Sequence, residues 1–440
     1  MMTKEEYERY YKKRIVGLDK DDEEKLDRIL KKIEFSDEEK RILDAFYIPN
    51  TGEKFKPLDK LTPSQMKAEL RNIFVLLKYN YCGYDYFNRN GELDIIHQEL
   101  DKTISIYNEP LESKIFFKIV INELHKIIKD NHFYILCDDE YFCLEIHNIP
   151  YFTDLIVEEV DGKYVIINDN DFFPKHYVIK DNIKKYIFKT LPENNHERFL
   201  IGLLQLSDAT TNKIRIDGIE LPLHQSRSTN VRIKQDNKLI AYKDYNMLLL
   251  TMCHINEENS YKGYYEYGEK LKDGKCAVIS VVGNPGGNSN VCNQIIQGLN
   301  GNGTWNIAES TLNLFQKSGI PFKYYSYSSV KNKPYGTYEK PLYILMNSLT
   351  ASAGESMISI CNNVKDVIKI GTNTMGCGCF GEVQSYILPQ SHAKIGIAYK
   401  TFFMEGFTEG TGFMPDYWMD DENMIESFTN WLNKKMNLDI

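Results

Sequence analysis

Two short and almost entirely apolar runs, Cys276–Val282 and Leu342–Met346, constrain this chain more than any other feature. Each ends in a turn of small residues, "GNPGGN" at 283–288 and "NSLTAS" at 347–352. A helical pattern follows each turn, "VCNQIIQGL" after the first and Met357, Ile358 and Ile360 after the second. Between them "AESTLNLFQKSG" reads as a helix and "FKYYSYS" as a strand. Strands that alternate with helices predict a mostly parallel sheet covered by helices, an α/β fold. Ligands of such sheets bind beyond the carboxyl ends of the strands, and both small-residue turns leave strands at that end.

The rest of the chain divides by pattern, and its 440 residues are enough for two or three domains. Residues 1–58 are rich in Lys, Glu and Asp with apolar residues at helical spacing, as in "DEEKLDRILKKIEF", and predict short solvated helices. Residues 59–149 form a helical region. Thr62 and Pro63 start one helix, "PSQMKAELRNIFVLLKYNY", and "LESKIFFKIVINELHKIIKD" reads as another that runs to Asp130. The pattern then turns to β in "HFYILCDDEYFCLEI". Residues 150–235 read as a small β-rich domain, with Asp161-Gly162 as a hairpin signal and a further run "IDGIELPL" at 216–223. Residues 236–440 carry the α/β core.

Charge and cysteine content narrow the function classes. A net charge of -9 argues against a nucleic-acid partner, which calls for a basic face. No apolar stretch reaches the length of a bilayer span, so no membrane segment is expected. The opening "MMTKEEYERYYKKRIVGL" lacks the pattern of a secretory leader. Nine cysteines without the spacing of a disulfide framework fit a reducing compartment, so the expected location is cytoplasmic. No Gly-Lys-Ser/Thr follows "GNPGGN", which disfavours a nucleotide site. Cys377 and Cys379 in "GCGC" have no partner pair at zinc spacing, so no metal is expected.

Ser352 is the first candidate for chemistry. Ser352 and Glu355 fit a capping box at the start of a helix. The same strand-to-helix turn would present a nucleophilic serine near free backbone amides. These residues alone leave both readings open. Gly286 and Gly287 admit a flexible turn, or a loop whose amides approach a reacting carbonyl. His132, in "KDNHFYI", stands where a helix gives way to a strand and a base could be positioned; His125 reads as a packing or surface residue. Glu409, in "FTEGTGFMPDY", is by its local sequence a turn residue among glycines.

Taken together, four ordered blocks resemble the C-terminal-processing (tail-specific) serine peptidases and the related catalytic core of tricorn protease. They are "CAVISVVGNPGGN", "LYILMNSLTASAGES", "VIKIGTNTMGCG" and "GTGFMPDY". The resemblance implies a crotonase-like α/β core and places the nucleophile at Ser352. It departs in two places: Val282 stands where the family has an arginine, and Cys377 where the tail-specific branch has its lysine base. The tricorn-like branch instead uses a histidine and a glutamate, which fall on His132 in "IIKDNHFYI" and on Glu409. Residues 150–235 take the place of a PDZ-like domain but lack a recognisable Gly-Leu-Gly-Phe loop, so a degenerate or spacer module is expected.

The resemblance thus implies a serine endopeptidase acting on a peptide or unfolded protein. Ser352 attacks the carbonyl, His132 accepts its proton, and Glu409 orients His132. Amides of Gly286 or Gly287 and of Ala353 hold the oxyanion. Neither metal nor organic cofactor enters this scheme. Val282 and Cys377 motivate a rival reading, an inactive relative that binds peptides, and a further one makes Cys377 the nucleophile. Oligomeric state is left open.

Overall fold

The computed structural model describes residues 36–50, 52–144, 147–193, 196–233, 235–255, 260–301, 307–310 and 336–438. The expected helices before residue 36, and the strand read in "FKYYSYS", lie outside them. No helix among the described residues is long and apolar enough to cross a membrane.

Side-chain caps set the first helices. α1 (Asp37–Asp44) starts at Ser36, which forms a capping box with Glu39. α2 (Pro63–Asn80) starts at Thr62, whose Oγ1 accepts from Gln65 N–H at 3.3 Å while Gln65 Oε1 accepts from Thr62 N–H at 2.9 Å. Its apolar face buries Leu70, Ile73, Leu76 and Leu77. α3 (Glu92–Ser105) packs on α2, and α4 (Ser113–Leu124) packs on α3. The expected run of α4 to Asp130 is too long: the helix ends at Leu124. Asp130 is fully buried, and its Oδ1 accepts from His132 N–H at 2.8 Å while Tyr81 Oη donates to Oδ2 at 2.9 Å. A side chain that bonds the backbone two residues on favours a turn over a helix. The chain then enters the hairpin of β1 (Tyr134–Cys137) and β2 (Glu140–Cys143).

The antiparallel strands that follow include β3 (Asn148–Val160), β4 (Lys163–Ile166), β5 (Ile187–Lys189), β6 (Arg198–Leu206), β7 (Lys213–Ile216) and β8 (Ile219–Pro222). β3 pairs with β4 and β6, and β6 with β5. Asp161 and Gly162, both at positive φ (50° and 75°), turn β3 into β4. Asp217 and Gly218 (47° and 83°) do the same between β7 and β8. Leu155, Val157, Phe199, Ile201, Ile214 and Leu221 fill the core between these strands.

β9 (Lys238–Ala241) and β10 (Tyr245–Leu249) open the main sheet, followed by α5 (Tyr261–Leu271), β11 (Cys276–Ser280) and α6 (Asn290–Asn300). β12 (Ile307–Ser310) corrects the helical reading of "AESTLNLFQKSG" at its start, because Ala308–Ser310 pair with a later strand; the remaining residues of that reading lie outside the described ones. Long-range pairing of this kind overrides local preference. Next come β13 (Leu342–Met346), α7 (Ala353–Cys361), β14 (Val367–Gly371), β15 (Phe380–Ile387) and β16 (Lys394–Phe403). The short β17 (Phe407–Thr408) and β18 (Gly412–Phe413) form a hairpin, and β19 (Tyr417–Trp418) and α8 (Met424–Leu438) end the chain.

The main sheet has the order β9-β10-β11-β13-β14-β19 and is parallel except at β9. One face packs Tyr245, Met247, Val278, Tyr343 and Leu345 against Phe428 and Leu432 of α8. A second sheet runs β12-β16-β1-β2, with β15 on β16. The described residues cluster into two compact units, each assembled from separate stretches of chain. One holds residues up to 144 with 307–310 and 379–405. The other holds the β-rich stretch and the main sheet: 147–301, 336–378 and 406–438. Together they make a mixed α/β protein.

Candidate active site

Three loops leave the carboxyl ends of three adjacent parallel strands: 281–289 after β11, 347–352 after β13 and 372–378 after β14. Polar side chains stitch the first two together. Asn284 is fully buried; its Oδ1 accepts from Gly286 N–H at 2.8 Å and its main-chain oxygen from Ala351 N–H at 2.9 Å. Asn347 Oδ1 accepts from Gly283 N–H at 2.9 Å, and Thr350 Oγ1 donates to Val281 O at 2.7 Å. Such cross-links hold a loop without regular structure in one conformation.

Ser352 stands at the bend into α7 with φ 52° and ψ -117°. An L-residue adopts that combination only under strain, and strain of this kind persists where surrounding contacts enforce it. Gly286, at φ +114°, lies directly against it: a Cβ there would meet Ser352 Cβ at 2.7 Å and Ala353 N at 3.2 Å. Only glycine fits that approach. Ser352 N–H donates to Cys377 O at 3.0 Å and to Glu355 Oε2 at 3.0 Å, the reach-back half of a capping box. The Ser352 carbonyl accepts from Glu355 and Ser356 N–H, both at 2.9 Å.

Of the two glycines that the sequence offers as oxyanion donors, Gly286 has its N–H engaged by Asn284. Among the described residues neither Gly287 N–H nor Ala353 N–H has an acceptor. Gly287 is held at φ +123° by Cys253, whose oxygen a Cβ at Gly287 would meet at 2.1 Å. Gly286 therefore contributes shape, and Gly287 and Ala353 keep amides available for a ligand.

Glu409 sits at the tip of the β17–β18 hairpin, and its Oε2 accepts from Gly378 N–H at 3.2 Å. Close glycine contacts press that hairpin on loop 372–378: Cβ atoms at Gly376 and Gly412 would meet Thr411 N and Thr374 Oγ1 at 2.2 and 2.1 Å. Loop 372–378 thus touches Ser352 through Cys377 and Glu409 through Gly378. The fully buried Glu355 secures it. Its Oε1 accepts from Thr374 Oγ1 at 2.6 Å and Gly376 N–H at 2.7 Å, and its Oε2 from Cys377 N–H at 2.9 Å. Burial pushes the Glu355 carboxyl up to about 7, against these hydrogen bonds, which favour the anion.

His132 belongs to the other compact unit. Its Nδ1 lies 3.6 Å from Asp130 Oδ1, the carboxylate that also accepts its main-chain N–H. His125 packs edge-on to Phe133 at 6.0 Å, and burial lowers its pKa to about 4. Val282, where the resemblance calls for arginine, is wholly buried in the core of the main sheet. Sequence reasoning passed over two of these residues. Glu355 read as a cap because burial cannot be seen in a capping box, and Asn284 gave no signal beyond lying in a turn.

A serine forced into a strained strand-to-helix bend, beside a glycine loop and two available amides, has the arrangement of a serine hydrolase. Residues 246–419 match the model of peptidase family S41. Over these residues, from β10 to β19, the chain is similar to that family, and it is a serine peptidase. The match takes in Gly286, Gly287, Ser352, Ala353, Cys377 and Glu409; His132 precedes it. No curated protein matches the chain. Solved structures similar to it include mature CPAF complexed with lactacystin, at 10% identity over 86% of this chain and 98% of that one (TM-score 0.46). The photosystem II D1 C-terminal processing protease is 13% identical over 82% and 93%, with a TM-score of 0.39. Tricorn protease is 12% identical over 84% of this chain and 37% of its own (TM-score 0.40).

Proposed function

We propose that this serine peptidase is an endopeptidase that works through an acyl-enzyme, with Ser352 as nucleophile, His132 as base and Glu409 as the acid that orients it. The observation that carries the reading is the strained Ser352 bend, with Gly286 packed on it and the Gly287 and Ala353 amides without acceptors. Serine at its ordinary pKa is a weak nucleophile, so a base must take its proton during attack on the peptide carbonyl. Cys377 cannot be that base, because a thiol lacks the amine that a lysine provides. His132 is the alternative offered by the sequence blocks, with Glu409 to stabilise the imidazolium. The carbonyl oxygen becomes an oxyanion held by Gly287 and Ala353 N–H. His132 then protonates the departing amine, and water attacks the ester of Ser352 with His132 again as base.

In the same reading the main sheet is a crotonase-like core and residues 150–235 are a degenerate PDZ-like domain. The substrate is a peptide or an unfolded segment of protein. A fluorophosphonate probe tests the mechanism, since it reacts only with an activated serine. Labelling should vanish in Ser352→Ala and fall by about a hundredfold or more in His132→Ala, the usual cost of losing a general base. Labelling that persists in Ser352→Ala overturns the assignment.

A further inference from the structure

We propose that Glu355 is a positioning residue of this site, whose carboxylate ties the Ser352 bend to the loop that holds Glu409. The inference rests on the reading of Ser352 and Glu409 given above. In an ordinary capping box the acid at the third helical position serves one amide and faces solvent. Glu355 is fully buried and accepts four hydrogen bonds: from Ser352 N–H, Thr374 Oγ1, Gly376 N–H and Cys377 N–H. Three of those donors lie on loop 372–378, which also supplies Cys377 O to Ser352 and Gly378 N–H to Glu409.

The tie depends on the anion. A carboxylate accepts at both oxygens, whereas a carboxylic acid turns its one O–H, and an amide its NH2, toward groups that also donate. Each mismatch leaves a buried donor without a partner, which loosens the loop. The titratable side chains on the elements packed against Glu355 are Cys377 on the loop, Glu409 on the hairpin, Cys292 on α6 and Cys361 on α7 itself. Among the described residues of these elements none brings a positive charge, and the groups that favour the anion are its hydrogen-bond donors. Burial holds its proton affinity high enough that the tie forms as pH rises through about 7.

Glu355→Gln and Thr374→Val test this, read by the fluorophosphonate labelling rate across pH. If Glu355 must be an anion, its protonation adds to the steepness with which the wild-type rate falls at low pH. Glu355→Gln should label about tenfold more slowly or worse, with that added steepness lost. Thr374→Val removes one donor and should move the steep limb to higher pH, a readout that survives if Glu355→Gln fails to fold. Hydrogen exchange of segments 352–356 and 374–378 reads the tie without any activity, and both should exchange faster in Glu355→Gln. Wild-type labelling with an unchanged rate in Glu355→Gln, or a limb unaltered in slope and position by either variant, overturns the proposal. Absent wild-type labelling alongside faster exchange in both segments would count against the nucleophile reading and leave the tie standing.

Discussion

Gly286 and Ser352 meet so closely that their backbones specify one another. The 2.7 Å approach of an added Cβ, together with φ +114°, leaves no room for a side chain at Gly286. Gly286→Ala should therefore shift the bend and lower the fluorophosphonate labelling rate by about a hundredfold, the order seen when oxyanion-site geometry is lost. A labelling rate within threefold or so of wild type would show that the bend tolerates the methyl group. At this scale the sequence was only half legible. "GNPGGN" marks a loop where backbone approaches something closely, yet it cannot say which glycine keeps its amide. That is decided by Asn284, which engages the Gly286 N–H and leaves Gly287 available. Glu355 is similar: its spacing from Ser352 gives a cap, and only burial turns the cap into a junction of four hydrogen bonds.

Among the elements, those fixed by local chemistry match their sequence patterns. The α2 start follows from Thr62, Pro63 and Gln65, and the two hairpin turns follow from Asp-Gly pairs that tolerate positive φ. Thr62→Ala should cost about 1 kcal/mol of stability, because it removes the Oγ1 that accepts from Gln65 N–H while the main-chain N–H that Gln65 caps remains. Denaturant unfolding measures it, and a change below about 0.3 kcal/mol would mean that packing alone holds the start of α2. Elements fixed by distant partners were misread. β12 became a strand because Ile307–Ser310 pair with Lys400–Phe403, far along the chain. The chain turns at 130–132, where the pattern reads as helix up to Asp130, because buried Asp130, held by Tyr81, bonds the His132 amide. Periodicity within a window contains neither Tyr81 nor β16.

For the whole molecule, Glu355 sets stability against the function proposed for it. Its carboxyl rises from 4.5 unfolded to about 7 folded. The folded state therefore binds more protons between those values. The stabilising contribution of that proton is full below pH 4.5 and is lost as pH rises through about 7, on the order of 3 kcal/mol. Glu355→Gln carries no such proton. The melting temperature of the variant relative to wild type should climb from pH 5 to pH 8, and a difference independent of pH would show that Glu355 does not titrate in this range.

The sequence by itself determined the mixed α/β class, the order of strands 276–280 and 342–346 with their helices, and the likeness of residues 246–419 to the S41 peptidases. Each follows from short-range pattern: apolar runs of strand length, small-residue turns, and motif blocks in fixed order. Tertiary structure alone decided how Ser352 is strained, which amides stay available, and that Glu355 is buried under four donors. Those depend on which groups meet across loops from three different strands, and hydrogen-bond direction and burial are properties of that meeting.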